Sequence, residues 1–417
     1  MTISQAATWG IAAVATSGVI LRPWGWPEAI WAMLGAAALV LLALIPLEDA
    51  LAAVAKGTDV YLFLIGMMLL ADVARREGLF DWLAAHAARA AKGSPLRLFG
   101  LVYLVGVLVT VFLSNDATAV VLTPAVYAVA ETAKAKPLPY LVACAMIANA
   151  ASFALPISNP ANLVLYGDHV PALWPWLRLF ALPSVLSIAA TYAGLRFFYR
   201  DALKGEIAHN VPFPLLSNGG RYAALGIGVT AVVLLLASVF DIRLGLPTFA
   251  AGIATAAFVL FEKREAPWPL LREISWSIIP LVAGLFILVA GLDSTGVIAK
   301  LTALMKWGIS ESATATAWVA GAGLAVITNL TNNLPAGLLA ESAATPAHPP
   351  SLVTGALLIG VDLGPNLSVT GSLATILWLI ALRREGETIS AGAFLRVGAL
   401  VMPPALLLAL GALILTG

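Results

Sequence analysis

Residues 98–131 read LFGLVYLVGVLVTVFLSNDATAVVLTPAVYAVAE, an apolar run whose polar cluster, Ser114-Asn115-Asp116-Ala117-Thr118, lies inside it and not at its ends. Residues 314–341, TATAWVAGAGLAVITNLTNNLPAGLLAE, repeat the arrangement around Thr331-Asn332-Asn333. Each flank of either cluster is shorter than the ~20 residues a helix needs to cross ~30 Å of hydrocarbon. Backbone that leaves the helix at that depth survives only where it is buried in protein or lines a watery cavity. The pattern therefore predicts two re-entrant helical hairpins, over 98–134 and 313–342.

Outward from the hairpins the chain is apolar throughout. Of 417 residues, 61% are hydrophobic and 11% charged, against roughly a quarter charged in an ordinary soluble domain. Apolar runs with Gly, Pro and charged breaks predict spans over 3–20, 27–45, 59–74, 138–166 and 174–198, then over 222–240, 245–261, 274–292, 349–382 and 393–415. The first span has no basic lead and no small-residue cleavage site, so it reads as a retained helix. The expected fold is an all-α polytopic membrane protein of about 10 spans plus two hairpins.

The halves echo one another. Gly66 aligns with Gly284 and Gly78 with Gly296, each pair 218 positions apart (66 to 284, 78 to 296). Ser114-Asn115-Asp116 falls against Thr331-Asn332-Asn333, and Ser158-Asn159-Pro160-Ala161-Asn162 against Gly364-Pro365-Asn366. These breaks make 138–166 and 349–382 discontinuous helices. We read a first repeat over 1–199, a connector over 200–220 that includes His209 and Asn210, and a second repeat over 221–417. The segment with Arg75, Arg76, Arg89, Lys92 and Arg97 is the most basic and belongs in the cytoplasm. Counting on from it places Lys134, Lys136, Arg196, Arg200, Lys204, Arg221, Lys263, Arg264, Arg383 and Arg384 there too. Both termini then lie outside, and the repeats cross in opposite directions, the plan of secondary transporters.

Amides and hydroxyls at membrane depth are expensive unless they serve a purpose. The candidate substrate-binding residues are Ser114, Asn115, Thr118, Ser158, Asn159, Asn162, Asn332, Asn333, Asn366 and Thr370. Asp116 and Asp362 are candidate proton-coupling groups, since neither has a Lys or Arg near it in sequence. Leaving water favours the protonated form of a carboxyl, the condition proton coupling needs. Asp72 and Asp293, at span ends, read as solvated boundary residues. Cys144 is the lone cysteine, which excludes an intramolecular disulfide and a multi-cysteine metalloid site. There is no phosphate-binding glycine loop, so energy must come from an ion gradient or a partner. Neither an enzyme, a cofactor, a resident metal nor a nucleic-acid partner is indicated.

Residues 112–124, with Ala148-Asn149-Ala150-Ala151-Ser152-Phe153, residues 156–162, residues 328–335 and Gly360-Val361-Asp362-Leu363-Gly364-Pro365-Asn366, resemble the ion transporter superfamily. The nearest likeness is to its arsenite and antimonite efflux permeases of the ArsB type. That resemblance implies a scaffold and a transport domain in the inner membrane, homodimers, and exchange of trivalent arsenic or antimony for protons, alone or with a soluble ATPase partner. The residues agree on substrate. A site with two acids and no visible cation suits neutral As(OH)3, whose hydroxyls can trade hydrogen bonds with asparagines. Carboxylates, amides and free carbonyls also suit a hard cation, so a sodium/proton antiporter on the same fold is the alternative. Export of another neutral hydroxy-acid, or a proton path in a membrane enzyme complex, are further readings.

Overall fold

The computed structural model describes residues 2–209 and 212–417; Asn210, named above in the connector, lies outside the described residues. Among them the fold is all-α. The first series of helices is α1 (Ile3–Leu21), α2 (Glu28–Leu41), α3 (Leu47–Lys56), α4 (Thr58–Arg76), α5 (Leu79–Ala91), α6 (Pro95–Phe112), α7 (Asn115–Ala117), α8 (Thr123–Thr132), α9 (Pro137–Ala150), α10 (Pro160–Tyr166) and α11 (Leu173–Phe198). A π turn, Thr118–Leu122, joins α7 to α8. The second series repeats the order with α12 (Asn218–Val239), α13 (Gly245–Lys263), α14 (Trp268–Glu273), α15 (Ile278–Asp293), α16 (Val297–Glu311), α17 (Ala313–Thr331), α18 (Asn333–Ala344), α19 (Ser351–Leu363), α20 (Leu373–Arg384) and α21 (Ala391–Thr416).

Local chemistry sets these boundaries. Gly78 and Gly296 hold φ of 74° and 79°, left-handed backbone that a side chain would strain, and each turns the chain between two helices. Pro95, Pro137 and Pro160 sit in first turns, where a missing N–H costs nothing. Seven helices are long and apolar enough to cross a membrane, or nine if the bent pairs α3 with α4 (46°) and α15 with α16 (77°) each count as one. Helix α2 and the first halves of the interrupted helices, α9 and α19, are shorter.

One expectation needs correcting. The first hairpin arms are not too short to span: α6 has 18 residues and α17 has 19, and both qualify by length. Each is capped by serine, Ser94 or Ser312; α6 begins at Pro95, ahead of the expected 98, whereas α17 begins at the expected 313 and includes Thr331, read above as part of the break. The chain nevertheless doubles back after each. Thr118 Oγ1 lies 2.8 Å from Thr110 Oγ1, and a Cβ on Gly106 would meet the Thr118 methyl at 3.8 Å; on a continuous helix residues 12 apart would be roughly 18 Å distant.

Packing between the series is mutual. Helix α4 packs on α13 as α15 packs on α2, α6 on α9 as α17 on α19, α10 on α18 as α20 on the stretch from α7 through the π turn, and α11 on α21. The loops also sort by end. Ile207 and Ala208 of the connector donate to Gly93 and Ala133 carbonyls, Glu77 accepts from Ser217 and Lys263, and Arg76 pairs with Glu265, which gathers the basic loops on one face. At the other end Asp59, Gly167, Val170 and residues 241–244 border a common cleft.

Candidate functional site

Every polar cluster begins a helix. Ser114 Oγ accepts from Ala117 N at 3.1 Å, Asn159 Oδ1 from Ala161 N at 3.0 Å, Asn332 Oδ1 from Leu334 N at 3.4 Å and Ser372 Oγ from Thr375 N at 3.1 Å. The first N–H groups of a helix lack intrahelical partners, and a short polar side chain just ahead satisfies one of them. Inside a membrane no solvent can do so instead.

These starts converge. Asn115 and Asp116, Asn159 and Pro160, Asn333 and Leu334, and Leu373 and Ala374 border one narrow pocket. Asp116 also lines a wider cleft with Leu64, Met68, Asp72, Ser114 and Ser275. That cleft runs toward the face holding the basic loops, since Arg75 pairs with both Asp72 and Glu273. No Lys or Arg borders either space. Asp116 is half-buried as a residue, and its carboxyl receives no hydrogen bond or ion pair among the described residues.

Asp362 is the opposite case. Its side chain is 1% exposed at the end of α19. Asn159 Nδ2 donates to its Oδ1 at 2.7 Å, while Oδ2 has no partner. The Ser152 hydroxyl lies nearby but donates to the Asn149 carbonyl at 2.7 Å. Asn159 therefore touches the Asp116 cavity and the Asp362 carboxyl at once.

Of the residues singled out in the sequence, Ser114, Asn115, Asp116, Asn159 and Asn333 border the two spaces. The others stand behind them. Thr118 ties the first hairpin to Thr110. Ser158 donates to the Val111 carbonyl at 3.0 Å, joining the break before α10 to the end of α6. Asn162 Nδ2 reaches the carbonyls of Ser152, Leu155 and Pro156. Asn332 donates to the Thr370 carbonyl at 3.3 Å, and Thr370 donates to that of Asn329 at 3.1 Å. Asn366 donates to the Met146 carbonyl and accepts from Asn149.

The model of a family described as citrate transporters, CitMHS, matches residues 13–385. The chain belongs to the citrate transporter family. The ArsB-type resemblance seen in the motifs extends over most of this family member. It is 28% identical over 375 residues to an arsenical pump membrane protein of Yersinia enterocolitica, covering 86% of each chain. The protein of that name from Escherichia coli strain K12 is 28% identical over 376 residues, again 86% of each. A putative arsenical pump membrane protein of Bacillus subtilis strain 168 is 28% identical, covering 92% of this chain and 93% of its own. In fold the transporter resembles the YdaH transporter of Alcanivorax borkumensis, with a TM-score of 0.55 at 17% identity over 88% of this chain and 86% of that one.

Three residues of this citrate-transporter-family site escaped the sequence reading. Asp72, read there as a solvated boundary residue, is 16% exposed and lines the cleft; with Leu64, Met68 and Ala71 it forms one helical stripe, a periodicity that could have revealed it. Asn149 and Thr375 meet across the two breaks at 3.2 Å, and no local signal in either half pairs them.

Proposed function

We propose that the protein is a secondary transporter that exports neutral trivalent metalloid hydroxides, arsenite and antimonite, in exchange for protons by alternating access. The observation that carries this reading is the cavity bordered by Asn115, Asp116, Asn159 and Asn333 with no Lys or Arg beside it. Amides offer donors and acceptors together, which a hydroxylated neutral solute can match from either side. The Asn333 Oδ1 is buried without a donor, and a substrate hydroxyl would supply one. Cys144 is buried in α9 and borders neither space, so recognition proceeds through hydroxyls and not through thiolate. The arsenical pumps among the relatives support the same substrate class.

In this reading the cleft is the cytoplasmic entrance, and Asp116, where cleft and cavity meet, takes its proton from the outward-facing state and yields it to the cytoplasm. The first repeat spans 1–199 and the second 221–417. The connector is cytoplasmic and both termini are outside; protease added to everted vesicles should therefore cut between residues 200 and 220.

A second reading is favoured by one observation. Helix N-termini carry partial positive charge, four of them face the cavity, and the family takes its description from citrate. The unpaired Asp116 in the same cavity opposes a multiply charged anion. Reconstituted protein under an imposed proton gradient decides between them. Accumulation of arsenite or antimonite supports metalloid exchange; accumulation of citrate, or sodium-dependent proton movement without metalloid transport, refutes it.

A further inference from the structure

The interrupted helices of the two series match position for position. Helix α9 ends at Ala150 and α19 at Leu363, while α10 starts at Pro160 and α20 at Leu373, both 213 positions apart (150 to 363, 160 to 373). At this offset the cap residue Asn159 corresponds to Ser372, and Asn149, one residue before the end of α9, corresponds to Asp362. Each cap side chain reaches across to the other series' residue: Asn159 Nδ2 to Asp362 Oδ1 at 2.7 Å, and Ser372 Oγ to Asn149 Oδ1 at 3.2 Å. The two breaks are thus pinned to each other by a pair of crossed joints.

The joints are chemically unequal. Around Asn149 the amide is saturated: besides accepting from Ser372, it donates to Asn366 Oδ1 at 3.0 Å and to Thr375 Oγ1 at 3.2 Å. Asn366 returns a bond to the Met146 carbonyl at 2.9 Å, and Ser372 lies 2.8 Å from the Thr375 hydroxyl. Around Asp362 a single side-chain bond bridges the breaks, and Oδ2 is buried with no donor. Asn159 is also the member that borders the substrate cavity. A bridge of one bond beside an unsatisfied oxygen opens far more readily than a fully paired network.

We propose that Asn159 and Asp362 form the latch of the transport cycle, the joint that opens as the first break moves, while the Asn149 network is a fixed joint that keeps the second break closed. This rests on the alternating-access reading above and adds to it which break moves and which residue, Asn159, positions it.

Hydrogen–deuterium exchange on the full-length protein in lipid vesicles, with no substrate and no gradient, tests it. Amides of 151–162 are expected to exchange faster than those of 364–375. Asn159→Ser keeps a capping oxygen for α10 but is too short to reach Asp362. It should speed exchange across 151–162 by about tenfold, the loss of one buried hydrogen bond, and leave 364–375 unchanged. Asn149→Asp, which copies the latch chemistry onto the fixed joint, should loosen 364–375. Equal protection of both breaks in the native protein, or an Asn159→Ser effect that is absent or equal in the two, overturns the latch. Because no transport is read, that result would leave metalloid export standing, and failed metalloid transport would leave the latch standing.

Discussion

Asn162 closes the first helix break from within. Its amide nitrogen serves three carbonyls of the unwound chain, those of Ser152, Leu155 and Pro156 at 2.9, 3.1 and 3.3 Å, of which that of Leu155 also accepts from the Ser158 N–H. Asn162→Leu should therefore destabilise the fold by roughly 2–4 kcal/mol, since each orphaned buried carbonyl costs about as much as a lost bond. A lowered thermal unfolding midpoint in detergent would show it; an unchanged midpoint would mean the carbonyls find other donors. Asn115 is different in kind: its oxygen accepts only from the neighbouring Asp116 N–H, and its side chain borders the cavity. Both residues looked alike in the sequence, as polar groups out of place in apolar runs. Composition located the clusters, but which amide holds backbone and which borders the pocket depends on how the unwound chain folds back, as Asn162 does onto carbonyls 6 to 10 residues before it, and on more distant carbonyls. Ser158 bonded to Val111 and Asn332 bonded to Thr370 make the same point.

At the scale of elements, the close crossings are made by glycine. A Cβ on Gly66 of α4 would stand 2.3 Å from the Thr248 carbonyl of α13, and one on Gly284 of α15 would stand 2.8 Å from the Ala32 backbone of α2. Small residues let backbones approach where no hydrophobic force between helices exists, because lipid is as apolar as leucine. Gly66→Ala and Gly284→Ala should each cost about 1–3 kcal/mol by overpacking, whereas Gly228→Ala, whose Cβ meets nothing within 4 Å, should be neutral or slightly stabilising. Fluorescence-detected melting of the three variants checks this, and equal behaviour would contradict it. The pairing of Gly66 with Gly284 was legible as a repeated spacing, and so was the presence of breaks ahead of α10 and α20, but not their register: residues 158–162 were set against 364–366, whereas the helix ends pair Asn159 with Ser372. The short lead-in helices α3 and α14 were not, because amphipathic turns at a membrane face lack the apolar length that marks a span. The first arms of the hairpins were drawn too short for two reasons: hydropathy falls at Pro95 and Arg97, where the serine cap and proline already start α6, and Thr331, read as part of the break, still belongs to α17.

For the whole molecule, two like series meet at a polar centre that neither contains alone. Cavity walls come from the first hairpin and first break together with the second hairpin and the start of α20. The acids are placed unevenly: the hairpin caps Ser114 and Asn332 set an offset of 218 (114 to 332), one more than the sequence alignment used, so Asp116 faces Leu334 and not Asn333, while Asp362 near the end of α19 has Asn149 as its counterpart. Both gather around Asn159. Each series contributes one acid to that centre, and under the proposed mechanism this pair beside uncharged amides would serve the exchange of a proton for an uncharged solute.

The measurement that bears most directly on this account is antimonite accumulation in everted vesicles under an imposed proton gradient, with a pH indicator in the lumen, comparing the native chain with Asp116→Asn. The account predicts gradient-driven accumulation with matching proton movement in the native protein, and loss of both in the variant at undiminished expression. Full gradient-driven exchange by Asp116→Asn would contradict it.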